Sequence, residues 1–323
     1  MDVTIAQQSA NAIAKGSKSF ALASLLFRPH MRRHAHMLYA WCRHCDDVID
    51  GQNLGFGEDS FAGRDDAPRA EDLESLWADT KSALNGTPPN SWPFEAFQTV
   101  ALETGMPSQH PYDLLRGFEM DVAQHRYETL EDTLRYSYHV AGVVGVMMAI
   151  VMGVDPDDND TLDRASDLGI AFQLTNICRD IIDDAAIGRI YVPALWLEEE
   201  GVEAKPQQVL AEANREAVWH VALRLLQEAN KYYQSAAPGV RRLPIRAGFA
   251  VAAARGVYRD IGRVVRVKGP LVWDQRARTS RRRKVALAGL GCLQGASAKS
   301  QFFRALPPRP DLWKRPVIGG VSS

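Results

Sequence analysis

Apolar positions recur every three or four residues over long stretches of this 323-residue chain, which is the period of one face of an α-helix. Period-two alternation and Asn-Gly hairpin turns, the marks of strands, are sparse. The pattern predicts helices, separated by glycine and proline, near 31–50, 70–84, 93–104, 110–124, 128–153, 160–186, 206–235 and 243–268. The sequence therefore predicts an all-α protein.

No linker or change of composition divides these helices into groups. We therefore expect one helical domain over residues 1–306. Residues 307–323 differ, because four prolines fall within the first ten of them. We expect a flexible, frayed tail there, since closely spaced prolines and a chain end disfavour regular structure.

The longest uncharged apolar stretch, Val140 to Val154, has 15 residues, fewer than the ~20 of a membrane-spanning helix. We expect a buried core helix instead. The first twenty residues lack the charged start and apolar run of a secretory signal. Four cysteines are too few for a disulfide framework, and we interpret Cys42 and Cys45 as packing residues. These features predict a cytoplasmic protein, with peripheral contact at the inner face of the membrane as an open alternative.

Charge is nearly balanced over the whole chain, with 38 Lys and Arg against 39 Asp and Glu. This balance argues against a nucleic-acid-binding protein. The distribution is uneven, because 14 of the basic residues lie within 241–284 beside only two aspartates. An acidic body with a basic C-terminal third can hold cations in one place and an anion in another. A solvated basic helix face explains the same pattern.

Aspartates four residues apart occur three times, at Asp46/Asp50, Asp163/Asp167 and Asp180/Asp184. Spacing alone is weak evidence in a chain with 24 aspartates, so the neighbours on each helix decide. The first pair shares a face about 60° wide with a tyrosine and an arginine, and the third shares one about 100° wide with Gln173 and Asn176. Asp163 and Asp167 point away from Asp180, and we interpret them as a solvated face.

Carboxylates one helical turn apart lie roughly 6 Å from each other along the axis. Such a strip is unfavourable without counterions, and a divalent cation converts it into a binding site. Oxygen ligands without paired His or Cys favour Mg²⁺ or Mn²⁺ over zinc. Two acidic helices facing each other would hold a diphosphate through bridging metals. Two solvated faces remain the alternative that spacing alone allows.

In combination, the motifs resemble those of the squalene/phytoene synthase family. They are YAWCRHCDDVID (39–50), QLTNICRDIIDD (173–184) and GRIYVP (188–193), in a match running from SKSF (17–20) through YSYHVAGVVG (136–145) to residues 276–284. Within the family, the chain is most similar to the bacterial phytoene synthases. The resemblance implies an all-α isoprenoid synthase fold, a single helical bundle with a central cavity.

The activity that the resemblance implies is that of a prenyltransferase in carotenoid biosynthesis. Two molecules of geranylgeranyl diphosphate would condense head to head into prephytoene diphosphate, which would lose its diphosphate and rearrange to phytoene. The resemblance implies Mg²⁺ or Mn²⁺ as cofactor and no requirement for NADPH. Enzymes that act later in carotenoid synthesis are candidate partners.

The resemblance also assigns site residues by position. The implied metal ligands are Asp46, Asp50, Asn176, Asp180 and Asp184. The implied contacts to the substrate diphosphates are Ser17, Lys18, Ser19, Arg43, Arg179 and Arg276. The implied catalytic residues near the reacting carbons are Tyr39, Tyr136 and Tyr258. The two further acids within the motifs, Asp47 and Asp183, receive no role.

Two other functions stay open at this point. One is a squalene or dehydrosqualene synthase that uses farnesyl diphosphate, since substrate length depends on a pocket depth that the sequence does not determine. The other is a helical scaffold of the same family without catalysis. The crowded carboxylates argue against a scaffold, because a non-catalytic bundle has no physical need for them.

Overall fold

The computed structural model describes residues 3–51, 70–274 and 306–316, and no β-strand occurs within these ranges. Their α-helices are α1 (Val3–Gly16), α2 (Lys18–Ser24), α3 (Pro29–Asp50), α4 (Ala70–Leu84), α5 (Trp92–Thr104), α6 (Gln109–Val122), α7 (Leu130–Ser137), α8 (Val143–Val151), α9 (Asn159–Ala186), α10 (Ala194–Glu199), α11 (Pro206–Leu210), α12 (Arg215–Ala236) and α13 (Ile245–Lys268). The expected all-α class is confirmed.

Helix α9 is the longest of these helices and lies at the centre of the bundle, where it contacts α7, α8, α11, α12 and α13. Helix α3 packs against α1 and α5, and the ring of Trp41 stacks on that of Phe97 with centroids 4.0 Å apart. Helix α8 contacts both α3 and α9. Since α3 and α9 carry the two aspartate motifs, α8 ties the motif helices together.

Helical backbone runs from Leu130 to Val151, with one π-helical turn at Tyr138–Gly142 between α7 and α8. Within the described part of the chain, this is the one helix long and apolar enough to span a membrane by length and composition. Its apolar window is 61% buried inside the protein, and Val143 and Met147 have no exposed surface. Such burial fits the core helix expected for this region.

The crossing of the π-turn and α8 with α9 depends on two glycines. A Cβ on Gly169 would lie 2.2 Å from the carbonyl oxygen of Ala141, and a Cβ on Gly145 would lie 2.4 Å from that of Ala165. No side chain fits at such distances, so only glycine allows these backbones to approach so closely. The register between α8 and α9 is thereby fixed.

The helix pattern of the sequence differs from the structure mainly in short segments. The predicted helix at 206–235 is two helices, α11 and α12, with a 3-10 turn at Glu212–Asn214 between them. The apolar pattern does not predict helices α1 and α2, because polar residues interrupt it in both, including Ser, a weaker helix former than Ala or Leu. Helix α1 is stabilised by packing on α3, which local sequence does not show.

The interpretation of Asp163 and Asp167 as a solvated face is wrong. The side chain of Asp167 has no exposed surface, and Arg309 donates to its two oxygens over 3.0 and 2.6 Å. The hydroxyl of Ser235 donates to it as well, over 2.5 Å. Asp163 accepts from Arg315 over 2.7 Å. Both carboxylates face basic residues some 150 positions later in the chain, which spacing on a helix cannot reveal.

Residues 306–316 are extended and lie against α9, whereas residues 317–323 of the predicted tail lie outside the described part of the structure. The carbonyl of Pro307 accepts from Arg164 over 2.6 Å, and the ring of Trp313 lies 5.4 Å from that of Tyr138. Together with the Arg309 and Arg315 ion pairs, these contacts form a C-terminal clasp, defined here as residues 306–316. Charge pairing compensates for the conformational entropy lost in ordering the segment.

We expect Asp167→Asn to lower the free energy of unfolding by about 3–5 kcal/mol, because it leaves Arg309 without its buried counter-charge. Urea denaturation followed by circular dichroism measures the loss. The matched control is Asp160→Asn, at an exposed position on the same helix, where we expect less than about 1 kcal/mol. Equal stability of the two variants would contradict the structural role of the clasp.

Candidate active site

The two aspartate motifs lie at helix ends that turn sharply. Helix α3 stops at Asp50 because Gly51 adopts a left-handed conformation with φ 61° and donates its N–H to the carbonyl of Asp47. After α9, Gly188 has φ 83°, and the N–H of Arg189 donates to the carbonyl of Asp184 over 2.9 Å. This turn directs Arg189 toward α3, where its guanidinium lies 2.9 Å from the carboxylate of Asp50.

A cavity of about 210 Å³ lies between these helices. Its lining is mainly polar and comprises Asp46, Asp50, Phe118, Asp121, Tyr136, Gln173, Asn176, Ile177, Arg179, Asp180, Asp184, Arg189 and Tyr191. The five residues that the sequence motifs suggest as metal ligands are all among them. The two acidic rows therefore face one shared space.

Acidic groups outnumber basic groups in this lining. Five carboxylates line the cavity, against the guanidinium groups of Arg179 and Arg189. Arg179 is hydrogen-bonded to the adjacent Asp180 over 2.8 Å through its Nε. Arg189 is paired with Asp50. The cavity consequently retains an excess of acidic groups, which favours binding of a cation.

The pKa values of two carboxyl groups in this lining are raised. Burial, reinforced by the charges of Asp50 and Asp47, raises the pKa of Asp46 to about 7 in spite of nearby Arg43. Burial and the charge of Asp180 raise the pKa of Asp184 to about 8. In both groups burial is the largest cause of the shift, and the charges of neighbouring carboxylates add to it.

Asn176 adds an unpaired oxygen to this site. Its Oδ1 atom is buried and has no hydrogen-bond partner within the described residues, while its Nδ2 donates to Gln173 over 3.4 Å. A buried amide oxygen without a donor is costly, and a bound cation would remove that cost. The donor set of four motif carboxylates and one amide oxygen therefore fits Mg²⁺ or Mn²⁺.

Arg43 bridges two acids on α3. Its guanidinium lies 2.7 Å from the carboxylate of Asp46 and 2.6 Å from that of Asp47. Asp47 thus has a positioning role that the sequence did not suggest, because it holds Arg43 beside Asp46. Asp183 is exposed and is not among the residues that line the cavity.

Two tyrosines form one wall of the cavity. The rings of Tyr136 and Tyr191 are stacked with centroids 4.7 Å apart, and both hydroxyls donate to Asp121, over 3.1 and 3.0 Å. Burial raises the pKa of Asp121 to about 6. The structure thereby places one of the three suggested catalytic tyrosines in the cavity.

Tyr39 and Tyr258 do not appear among the described residues that line this cavity. Burial raises the pKa of Tyr39 to about 12, so its hydroxyl stays protonated at neutral pH. A Cβ on Gly16 would lie 2.4 Å from that hydroxyl, which shows how closely α1 approaches α3. The ring of Tyr258 stacks on Phe172 at 4.1 Å, and burial raises its pKa.

The remaining suggested diphosphate contacts are only partly described. Ser17 is the N-cap of α2, where its hydroxyl accepts from the N–H of Phe20 over 3.4 Å. The side chains of Lys18 and Ser19 lie outside the described part of the structure, as does Arg276. Their assignment stays a prediction.

Sequence reasoning missed three polar residues of the lining: Asp121, Arg189 and Tyr191. Arg189 and Tyr191 lie in the GRIYVP segment, which was matched as a motif and could have been assigned a role from its charge and aromatic ring. Asp121 is a single acid on α6 with no spacing signal. Only packing brings it against the two tyrosines.

Comparison with known proteins agrees with this geometry. The family model for squalene/phytoene synthase matches residues 13–283. The chain is 50% identical over 305 residues to the phytoene synthase of Pseudescherichia vulneris, covering 94% of this chain and 96% of that protein. It is 50% identical over 306 residues to the 15-cis-phytoene synthase of Pantoea ananas, with 94% and 96% covered. For the 15-cis-phytoene synthase of a Paracoccus strain, identity is 47% over 308 residues, with 95% and 97% covered.

Solved structures show the same architecture. The chain superposes on a ligand-bound dehydrosqualene synthase with a TM-score of 0.78 at 25% identity, covering 91% of this chain and 97% of that one. A squalene synthase from Alicyclobacillus acidocaldarius gives a TM-score of 0.67 at 23% identity, with 83% and 97% covered, and supports the fold alone. The expected isoprenoid synthase fold is confirmed. On the family match and on identity across nearly whole chains, the protein belongs to the squalene/phytoene synthase family.

Proposed function

We propose that this prenyltransferase condenses two molecules of geranylgeranyl diphosphate head to head and converts the resulting prephytoene diphosphate to 15-cis-phytoene. The observation that carries the proposal is the convergence of both aspartate motifs, Asn176, Arg179 and Arg189 on one cavity, with Arg43 paired to Asp46 beside it. Relatives named phytoene synthase or 15-cis-phytoene synthase, at 47–50% identity, support the choice of product. Formation of phytoene ends with loss of a proton rather than addition of hydride, so no NADPH is required.

The proposed ligands of Mg²⁺ or Mn²⁺ are Asp46, Asp50, Asn176, Asp180 and Asp184. When bound by these oxygens, the metal would supply positive charge that stabilises the substrate diphosphate as it departs. The excess acidic charge and the unpaired Asn176 oxygen support this assignment. Without a cation, the crowded carboxylates would repel an anionic substrate.

The diphosphate contacts that we propose are Ser17, Lys18, Ser19, Arg43, Arg179 and Arg276, to which the geometry adds Arg189. Arg43, Arg179 and Arg189 each lie against a motif carboxylate. An arginine held at the edge of an acidic site can bind a diphosphate directly through its planar fork of donors. These groups orient the leaving diphosphate and stabilise the negative charge that develops on it.

Departure of the diphosphate leaves an allylic carbocation on the prenyl chain. Aromatic faces stabilise this cation, and exclusion of water prevents its capture as an alcohol. We propose that the stacked rings of Tyr136 and Tyr191 lie beside it, where each face contributes about 0.5–2 kcal/mol of cation–π stabilisation. Tyr39 and Tyr258, which are not among the described residues lining the cavity, would contact the substrate outside it. Asp121 anchors the hydroxyls of Tyr136 and Tyr191 and so fixes their ring orientation.

We further propose a cytoplasmic enzyme with peripheral membrane contact, which hands its product to enzymes that act later in carotenoid synthesis. Forty-carbon hydrocarbons are insoluble in water, and transfer through a bilayer avoids exposing them. Leu22 is 65% exposed and Leu25 is 60% exposed at the end of α2, and they offer an apolar contact for that purpose.

We expect Asp46→Asn and Asp180→Asn each to lower kcat at least about 100-fold, because each removes a charged ligand that stabilises the departing diphosphate. Steady-state turnover of labelled geranylgeranyl diphosphate measures the effect, and circular dichroism verifies the fold. Asp160→Asn, exposed at the start of α9, is the matched control and should retain activity. Turnover at the wild-type rate in either motif variant would refute the metal assignment.

We expect removal of divalent cations by EDTA to abolish turnover, since repulsion among the carboxylates then opposes binding of the diphosphate. Added Mg²⁺ or Mn²⁺ should restore the rate, while added Ca²⁺ tests whether octahedral geometry matters. Product formation that persists in rigorously metal-free enzyme would rule out the proposed chemistry of this site.

The product distinguishes the remaining functions. Purified protein with Mg²⁺ and no NADPH is incubated separately with labelled geranylgeranyl and farnesyl diphosphate, and the hydrocarbons are identified by mass spectrometry. We expect a C40 hydrocarbon from the first and little product from the second. A preference for C30 product would assign the protein to dehydrosqualene synthesis instead, and absence of product from both would favour a scaffold.

A further inference from the structure

A second cluster of metal-ligating side chains lies far from the cavity, where the first turns of α3 meet the last turn of α5. It consists of His30 and His34, one helical turn apart, and Glu103 from the neighbouring helix. Twelve residues separate His34 from Asp46 on the same helix, a distance of about 18 Å along its axis. The cluster is therefore separate from the carboxylates of the cavity.

The donor atoms of this cluster converge. The Nε2 atom of His34 lies 2.9 Å from the Oε2 atom of Glu103, the Nε2 atom of His30 lies 3.5 Å from the same oxygen, and all three donors fall within 4.8 Å of one another. Ligands of a tetrahedral zinc ion, bound at about 2.0–2.1 Å, lie about 3.3 Å apart. The two measured donor distances, 2.9 and 3.5 Å, lie on either side of this value, so the side chains need to move little to enclose an ion.

The chemistry of the three donors points to a transition metal and away from Mg²⁺. Two imidazole nitrogens and one carboxylate oxygen form a set that zinc binds with a fourth position left for water. His34 is 1% exposed, and the Nε2 atom of its buried ring lies 2.9 Å from the carboxylate of Glu103. Glu103 supplies the negatively charged ligand of the set.

The helices that carry the three ligands are held in place, and the cluster is accessible from solvent. Helices α3 and α5 are held together by the stacked rings of Trp41 and Phe97, which keeps the ligands from the two helices in register. His30 and Glu103 are partly exposed, with 65% and 42% of their side chains accessible, so an ion can enter from solvent. A ligand on each helix makes the ion a bridge between them.

We infer that His30, His34 and Glu103 form a zinc-binding site that links α3 to α5 and stabilises the helix pair carrying the first aspartate motif. The ion binds the folded arrangement and has no equivalent site in the unfolded chain, so it raises the melting temperature. The inference does not depend on the proposed function, because it concerns different residues and a different metal.

The test is isothermal titration of the full chain with Zn²⁺ in a buffer with millimolar Mg²⁺, which occupies the carboxylate cavity. We expect one Zn²⁺ per chain and a melting temperature that rises by a few degrees. His30→Ala and Glu103→Gln, both at exposed positions, should weaken Zn²⁺ binding at least about tenfold and abolish the thermal shift. Both changes spare the buried His34, so the fold is retained.

The matched control is His220→Ala. His220 and Glu200 form an exposed pair with 3.0 Å between Nδ1 and Oε2, the same two groups without a second histidine. This variant should bind Zn²⁺ as the unaltered chain does. Substitution with Co²⁺ gives a second readout, the visible absorption of a tetrahedral ion, which should vanish in His30→Ala.

Three outcomes overturn the inference. They are the absence of Zn²⁺ binding to the unaltered chain, undiminished binding by His30→Ala, and loss of binding in Asp46→Asn but not in His30→Ala. The last result would place the zinc among the carboxylates of the cavity.

Discussion

Repulsion among carboxylates in a confined space is the interaction on which the active site depends. Asp46 and Asp184, from two helices, line one cavity, where burial and the charges of neighbouring carboxylates raise their pKa values, and the lining holds five carboxyl groups against two guanidinium groups. A protein maintains such a site only if the rest of the fold stabilises it, since the isolated arrangement is unfavourable. The cation and the diphosphate that we propose would together satisfy both the acids and the arginines.

The surrounding bundle supplies this stability at points remote from the cavity. Glycine contacts lock α8 to α9, and the C-terminal clasp neutralises Asp167 on the far side of α9. Stacked aromatic rings hold α3 to α5. Each of these contacts restricts the movement of a motif helix. The helices can therefore oppose one another across the cavity without separating under their own charge.

Helix α9 carries two aspartate pairs of identical spacing that lie in different environments. Asp167 is paired with Arg309 and closed off from solvent, while Asp184 faces the cavity with a raised pKa and incomplete neutralisation. The first arrangement stabilises the native state and has no remaining capacity to bind a ligand. In the second arrangement the carboxyl group of Asp184 is incompletely neutralised, so it remains able to bind a cation.

Sequence alone determined the helical class, the two motif helices and the family, because apolar periodicity, helix breakers and motif residues are local features. It indicated that Asp46 and Asp180 belong to acidic strips, since residues four apart share a helix face. It could not show that Asp163 and Asp167 meet arginines of the C-terminal clasp, or that Asp121 lies against Tyr136 and Tyr191. Those contacts join positions far apart in the chain, and only the packing of whole helices brings them together.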